Sequence, residues 1–196
     1  ATGYEVLTGP TTTTPITRTL QAKFDDVVSI RDFGATGDGV TDDTLAINRA
    51  LVQLYTREVN SEIRRSLFFP AGTYKVTDTI KVTSYAKLYG EGAKSSTIKY
   101  YNSGVLADAV VRTSDSKNQT GANIGNFSAV APTDIEISSI GFESTADNDI
   151  FLLESTTNSS FENVSLKGPK TTLTLTTSDS KACIRINSTA LLTSQN

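Results

Sequence analysis

The feature that most constrains the fold is a change of period. From about Asp42 to Val59 the apolar residues recur at helical spacing; beyond Ser66 they alternate, and LFFP, TYKV, TIKV, AKLYGEG and STIKYY read as short strands parted by Gly, Ser or Pro turns. A self-comparison adds a second regularity. The run IEISSIGFES around Ile140 to Phe142 is followed by SSFENVSLKG around Val164 to Leu166, an offset of 24 residues. The runs DIFLLES from Asp149 and TTLTLTT from Thr171 shift by about 22. Short strands repeating at that interval belong to solenoids, in which each coil buries its inward side chains only by stacking on the next. A β-sandwich of alternating strands is the other architecture these residues allow.

Composition agrees with an exposed, strand-rich body. Of 196 residues 30 are Thr and 21 are Ser, while apolar residues make up 37% and charged residues 20%. β-Branched Thr fits a pleated surface and Ser supports turns, so strands are favoured over helices. The net charge of −3, with no Lys/Arg run, provides no field to draw in nucleic acid or an anionic membrane. No apolar stretch is long enough to span a bilayer, and the Thr-rich start lacks the basic and apolar regions of a signal peptide. Zero His and a single cysteine, Cys183, argue against zinc sites and nucleophile–His pairs, and no metal or cofactor is expected. Beside an apolar strand-like run, Cys183 is expected to be a buried, inert thiol.

Two parts are expected. Residues 1–28 form an extended segment, with Pro10 and Pro15 around Thr11 to Thr14, followed by a short helix whose Leu20, Phe24 and Val27 make one apolar stripe. Residues 29–196 form the β body. At its start, VSIRDFGATGDGVTDD alternates through Val28, Ile30 and Phe33 and then meets Gly34, Gly37 and Gly39, which demand a tight positive-φ loop. Thr41 is expected as a helix N-cap, with Asp42 and Asp43 in the first turn, where carboxylates complement the macrodipole. Ile47, Ala50, Leu51 and Leu54 then predict a helix over about 42–59. The ending TALLTSQN offers no amphipathic cap, which suggests a fragment or an end covered by another chain.

The segment TRTLQAKFDDVVSIRDFGATGDGVTDDTLAINRAL, with FFPAGTYKV and KLYGEG downstream, closely resembles the entry of the pectate-lyase-like right-handed parallel β-helix, in the version found in bacteriophage tail spikes and tail fibres. The resemblance covers about Thr17 to Gly92. It implies a helix capping the N-terminal end of the solenoid, so that Asp42 and Asp43 are structural. It also implies a homotrimer in the virion, attachment to other tail or baseplate proteins through residues 1–28, and recognition of a bacterial surface polysaccharide by the β-helix. The alternative it leaves open is a polysaccharide depolymerase, a hydrolase or lyase acting on capsule or lipopolysaccharide; a purely structural adaptor is a third reading.

Hydrolysis with inversion needs two carboxyls about 6.5–9.5 Å apart, which successive coils of one face could provide. Candidates are Glu136, Glu143, Asp147, Asp149, Glu154 and Glu162, with Glu143, Asp147 and Asp149 foremost. Turn formation accounts equally well for Asp147 and Asp149 in TADND. A lyase would add an arginine, and Arg112 and Arg185 are the ones in expected strands. Tyr74, Tyr85, Tyr89, Tyr100 and Tyr101 could form a sugar-stacking platform or serve as core. Ser114 to Thr133, polar and containing glycine, reads as a long loop leaving the solenoid.

Overall fold

The structure is a computed structural model that describes residues 4–6, 16–19, 27–56, 64–113, 132–154, 156–168 and 183–187. Strands β1 (Tyr4–Val6) and β2 (Ile16–Arg18) pair antiparallel within the N-terminal segment. The helix expected around Leu20 and Phe24 lies outside the described residues, as do the runs 114–131 and 169–182.

From Val28 onward the chain winds through three parallel sheets. The first contains β3 (Val28–Ser29), β5 (Leu67–Phe69), β8 (Lys87–Gly90), β11 (Glu136–Ser138) and β14 (Ser160–Glu162). The second contains β4 (Asp38–Asp42), β6 (Gly72–Val76), β9 (Ser96–Tyr100), β12 (Gly141–Ser144) and β15 (Ser165–Lys167). The third contains β7 (Ile80–Val82), β10 (Ala109–Thr113), β13 (Asp149–Glu154) and β16 (Ile184–Asn187). After a first coil of two strands, β3 and β4, each coil gives one strand to each sheet in turn, which makes a parallel β-helix and excludes the sandwich. Alternation explains the inside: Leu67, Phe69, Tyr74, Val76, Ile80 and Val82, from three successive strands, join one buried cluster with Ile98, Ile137 and Phe142. Each such side chain contributes about 1.5–3 kcal/mol of burial.

The 24-residue repeat is the register itself, for Phe142 pairs with Leu166 in the second sheet, and Asn163 with Ser139 recur 24 residues apart in the neighbouring turn. The shift of about 22 proposed for the next run is wrong. β13 pairs with β16, Phe151 opposite Ile184, so its partner lies beyond Thr171–Thr177. The turns flanking the third sheet vary in length, and periodicity cannot be carried across them.

At the entry, the strand after Val28 is shorter than alternation predicts: Ile30–Phe33 turn into a 3-10 helix, whose capping box joins Ser29 and Asp32. The following helix also starts later than expected. α1 spans Thr44–Leu51, with Asp43 in the N-cap position but making no side-chain cap, and continues as a π turn over Val52–Thr56; residues 57–63 lie outside the described ones. Thr41 and Asp42 end β4 instead. Thr41 is not the N-cap because its hydroxyl and amide both donate to Asp38 (2.8 and 2.7 Å). Asp42 accepts from the Thr44 amide at 3.0 Å and from the hydroxyls of Thr44 and Thr77. Asp43, almost fully buried, reaches backward to the Thr36 and Gly37 amides (2.8 and 3.1 Å) and fastens the glycine loop. Thr41 and Asp43 thus bond within strand and loop, and of the three only Asp42 reaches the first residue of the helix, Thr44.

The helix seats Ala46, Ile47, Ala50 and Leu51 on the first-coil core. Its polar contacts follow the chain beneath it in steps of two. The Asp43 amide donates to the Lys75 carbonyl (2.8 Å), the Thr44 hydroxyl accepts from the Thr77 amide (2.9 Å), and the Asn48 side chain donates to the Thr79 carbonyl (3.1 Å) and accepts from the Lys81 amide (3.0 Å). A strand residue in a parallel ladder, placed opposite Ile80, would bond the same two groups. The amide of Asn48 therefore stands in for the missing strand of the third sheet.

Candidate functional site

The third sheet carries a row of cations paired with carboxylates. Register aligns Lys81, Arg112, Leu152 and Arg185 in one row across β7, β10, β13 and β16. β13 lies between the two arginine strands and supplies a carboxylate to each: Glu154 meets Arg112 at 2.8 Å, and Asp149 meets Arg185 at 2.5 Å with a second contact at 3.3 Å. The hydrogen bonds that Arg185 donates to Asp149, and behind them the charge of that carboxylate, raise the Arg185 pKa.

Beside Arg112 the turn entering β7 and the segment entering β10 enclose a cleft of about 530 Å³. Thr77, Asp78 and Thr79 form one wall, Ser103 with Val105 to Asp108 the other, and Lys81 and Arg112 belong to its lining. The second wall is positioned by Tyr100, a buried residue whose hydroxyl accepts from the Ala107 amide (2.9 Å) and donates to the Val105 carbonyl (3.4 Å). The Gly104 amide donates to the Asn102 side chain (2.9 Å) and shapes the same segment. Val105 and Leu106 remain exposed as an apolar lip. Arg112 also approaches Asp108 at 3.7 Å. Two carboxylates, two cations, several hydroxyls and a short apolar edge can hold a ligand that both donates and accepts hydrogen bonds and has apolar ring faces, as a sugar does.

None of the foremost catalytic candidates lines this cleft. Glu143, on β12 in the second sheet, lies between Lys167 (2.8 Å) and Lys99 (3.4 Å); the hydrogen bond from Lys167, and behind it the charge of Lys99, hold its carboxyl below the ordinary range despite partial burial. Asp147 is exposed in the turn between β12 and β13, and Asp149 is buried against Arg185. The second-rank acids are likewise spread, Glu136 pairing with Lys87 at 3.3 Å and Glu154 with Arg112. Sequence reasoning missed Asp78, Asp108 and Lys81. The signal available was an acid close before a third-sheet strand in successive coils, Asp78 two residues before β7 and Asp108 one residue before β10.

The tyrosines do not assemble a platform. Tyr74 and Tyr100 are core. Tyr85 lies under the Arg64 guanidinium (4.4 Å), Tyr89 packs on Phe68 (5.0 Å between centroids), and Tyr101 is approached by Lys75 and Lys99 (5.7 and 5.4 Å). Cys183 is exposed, not buried as expected, because it precedes β16 rather than lying within its inward-facing row. No helix among the described residues is long and apolar enough to cross a membrane.

Comparison with known proteins gives short but clear similarities. A glucan 1,3-beta-glucosidase of Cochliobolus carbonum is 45% identical over 64 residues, 33% of this chain and 7% of that protein. The preneck appendage protein of Bacillus phage PZA is 36% identical over 76 residues, 39% of this chain and 8% of that protein. The chain thus spans under a tenth of the length of either relative. Among solved structures, tailspike protein 3 of bacteriophage CBA120 superposes with a TM-score of 0.55 at 20% identity, over 83% of this chain and 24% of that one, a likeness of fold. Residues 27–192, the whole β body from its first strand, match the rhamnogalacturonase A/epimerase, pectate lyase-like family, and the chain belongs to it.

Proposed function

We propose that this chain is a structural and receptor-recognition part of a phage tail spike or fibre, located in the virion, with residues 1–28 as the attachment segment and the β-helix of 29–196 turned toward a bacterial surface polysaccharide. The observation that carries the reading is the cleft of the third sheet: its mixed charges and hydroxyls suit a glycan. The similarity to a phage appendage protein supports the setting. Within this reading the working form is a homotrimer, and neither nucleic acid nor membrane is a partner.

The test is binding of the purified chain to polysaccharide from candidate host cells, with light scattering for mass and antibody labelling of virions. Saturable binding that falls at least tenfold in R112A, together with labelled tails, is the expected result. Unlabelled virions and no binding to any host glycan would overturn it.

A second reading, polysaccharide cleavage, is favoured by one observation: Asp78 and Asp108, from successive coils, face the same cleft. Release of reducing ends or unsaturated uronate, abolished in D78N or D108N, would establish it.

A further inference from the structure

The charges around the third-sheet cleft do not cancel. Arg112 is answered by Glu154 at 2.8 Å and also lies 3.7 Å from Asp108. In the next coil Asp149 answers Arg185 at 2.5 Å. Behind Thr77, whose hydroxyl donates to Asp42 at 2.5 Å, the charge of Lys75 acts on that carboxylate. These pairs are matched. Lys81 is the cation of the lining set against the two remaining carboxylates, Asp78 and Asp108, one on each wall. Both acids are exposed, and the Asp78 side chain accepts from the Thr79 amide at 2.7 Å. The Thr79 hydroxyl donates to the Ala109 carbonyl at 2.8 Å, which ties the residue after Asp78 to the residue after Asp108 across the coils. Three carboxylates, Asp78, Asp108 and Glu154, thus meet two cations in a cleft of fixed walls.

We infer that this cleft selects an amino sugar, a unit whose free, protonated amino group is held between Asp78 and Asp108, over a uronate or a phosphorylated sugar. The inference rests on the glycan reading of the cleft proposed above. An ammonium only donates and a carboxylate only accepts, so the two match without a third group. Such charge-assisted bonds are roughly twice as strong as neutral ones. A uronate in the same place would set like charge against both walls. The net charge of −3 on the whole chain acts in the same direction. Arg112, matched by Glu154, serves as a donor to neutral sugar oxygens rather than as an anion trap, while Val105 and Leu106 offer an apolar edge to the ring.

The probes are oligomers of glucosamine, the same oligomers fully N-acetylated, and oligomers of galacturonate. They are titrated calorimetrically into the 196-residue chain at about pH 6, where amines are protonated and carboxylates ionised. Glucosamine oligomers are expected to bind at least about tenfold more tightly than the N-acetylated form, and galacturonate oligomers more weakly than either. Asp78→Asn keeps an acceptor for the Thr79 amide and removes only the charge. D78N and D108N should each lose most of the preference for the free amine and retain the binding of the N-acetylated form. E91Q, an exposed acid in the turn between β8 and β9, should keep the preference. Equal binding of the free and N-acetylated oligomers to the unaltered chain overturns the inference whether or not a variant folds. So does an undiminished preference in both folded variants, or a loss in E91Q as large as theirs, which would mark the field of an acidic protein rather than this cleft. Host polysaccharide that still binds in an Arg112-dependent way would then leave the glycan reading standing, so the two failures are told apart.

Discussion

Lys167 donates a hydrogen bond of 2.8 Å to Glu143, its register partner one coil away and 24 residues earlier in the chain. A carboxylate held in this way, with Lys99 on its other side, is ionised and occupied, which suits neither a proton donor nor a free base. E143Q should therefore leave glycan binding and any depolymerase activity at their original level while lowering stability by about 0.5–1 kcal/mol, the range for partly exposed ion pairs. Denaturant unfolding beside a binding assay checks both halves. Lost activity with intact stability would restore Glu143 as a catalytic candidate.

Asp43 and Thr41 should separate sharply. D43A removes a buried carboxylate that accepts from the Thr36 and Gly37 amides and should cost about 1–3 kcal/mol. T41A removes one exposed hydroxyl and should stay within about 0.5 kcal/mol. Chemical unfolding of the two variants measures the difference; equal losses would contradict the assignment.

The glycine loop gives a steric prediction. Gly37 has φ +66, and a Cβ there would stand 2.9 Å from the ring of Tyr74, whose hydroxyl is fixed on the Pro70 carbonyl at 2.8 Å. G37A should destabilise by about 1–3 kcal/mol from strain and overlap together. Combined with Y74L, part of that loss should vanish, and a double-mutant cycle reads the coupling.

Acid should unfold the entry of the β-helix early. The Val40 and Thr41 amides hold the Asp38 carboxyl at about 2, down from its ordinary 3.8. Burial would raise the Asp42 carboxyl, but hydrogen bonds from Thr44 and Thr77 outweigh it, and the balance is a lowered pKa. Glu143 is lowered too. Because the folded values are depressed, the stabilisation is fully present above the unfolded values and is lost as pH falls through the folded ones. The midpoint of thermal unfolding should be level above about pH 5 and should fall from there toward pH 2, with a shallower low end in D38N. A midpoint independent of pH across that window would refute the assignment.

Much of the fold was legible because its signals are local or strictly periodic. Alternation marked the strands, and the spacing from Phe142 to Leu166 was already the register of the second sheet. Three features were not legible, each for a physical reason. Thr171–Thr177 has strand composition, but the partner of β13 is set by where the chain rejoins the third sheet, at Ile184, which composition does not encode. The role of Asp43 depends on a loop folding back toward Thr36, whereas a capping rule looks only forward. The cleft joins Asp78 to Asp108 and Arg112 across coils, and its second wall depends on where the Tyr100 hydroxyl is aimed.

The return of the chain after Thr113 has one further consequence. β11 lies on β8 with Ile137 opposite Leu88 in unbroken register, although residues 114–131 come between β10 and β11. The coil thus sets no length for what is spliced in at that junction. A change in the number of residues between Thr113 and Pro132 is therefore expected to leave the pairing of β8 with β11 and of β10 with β13 in place.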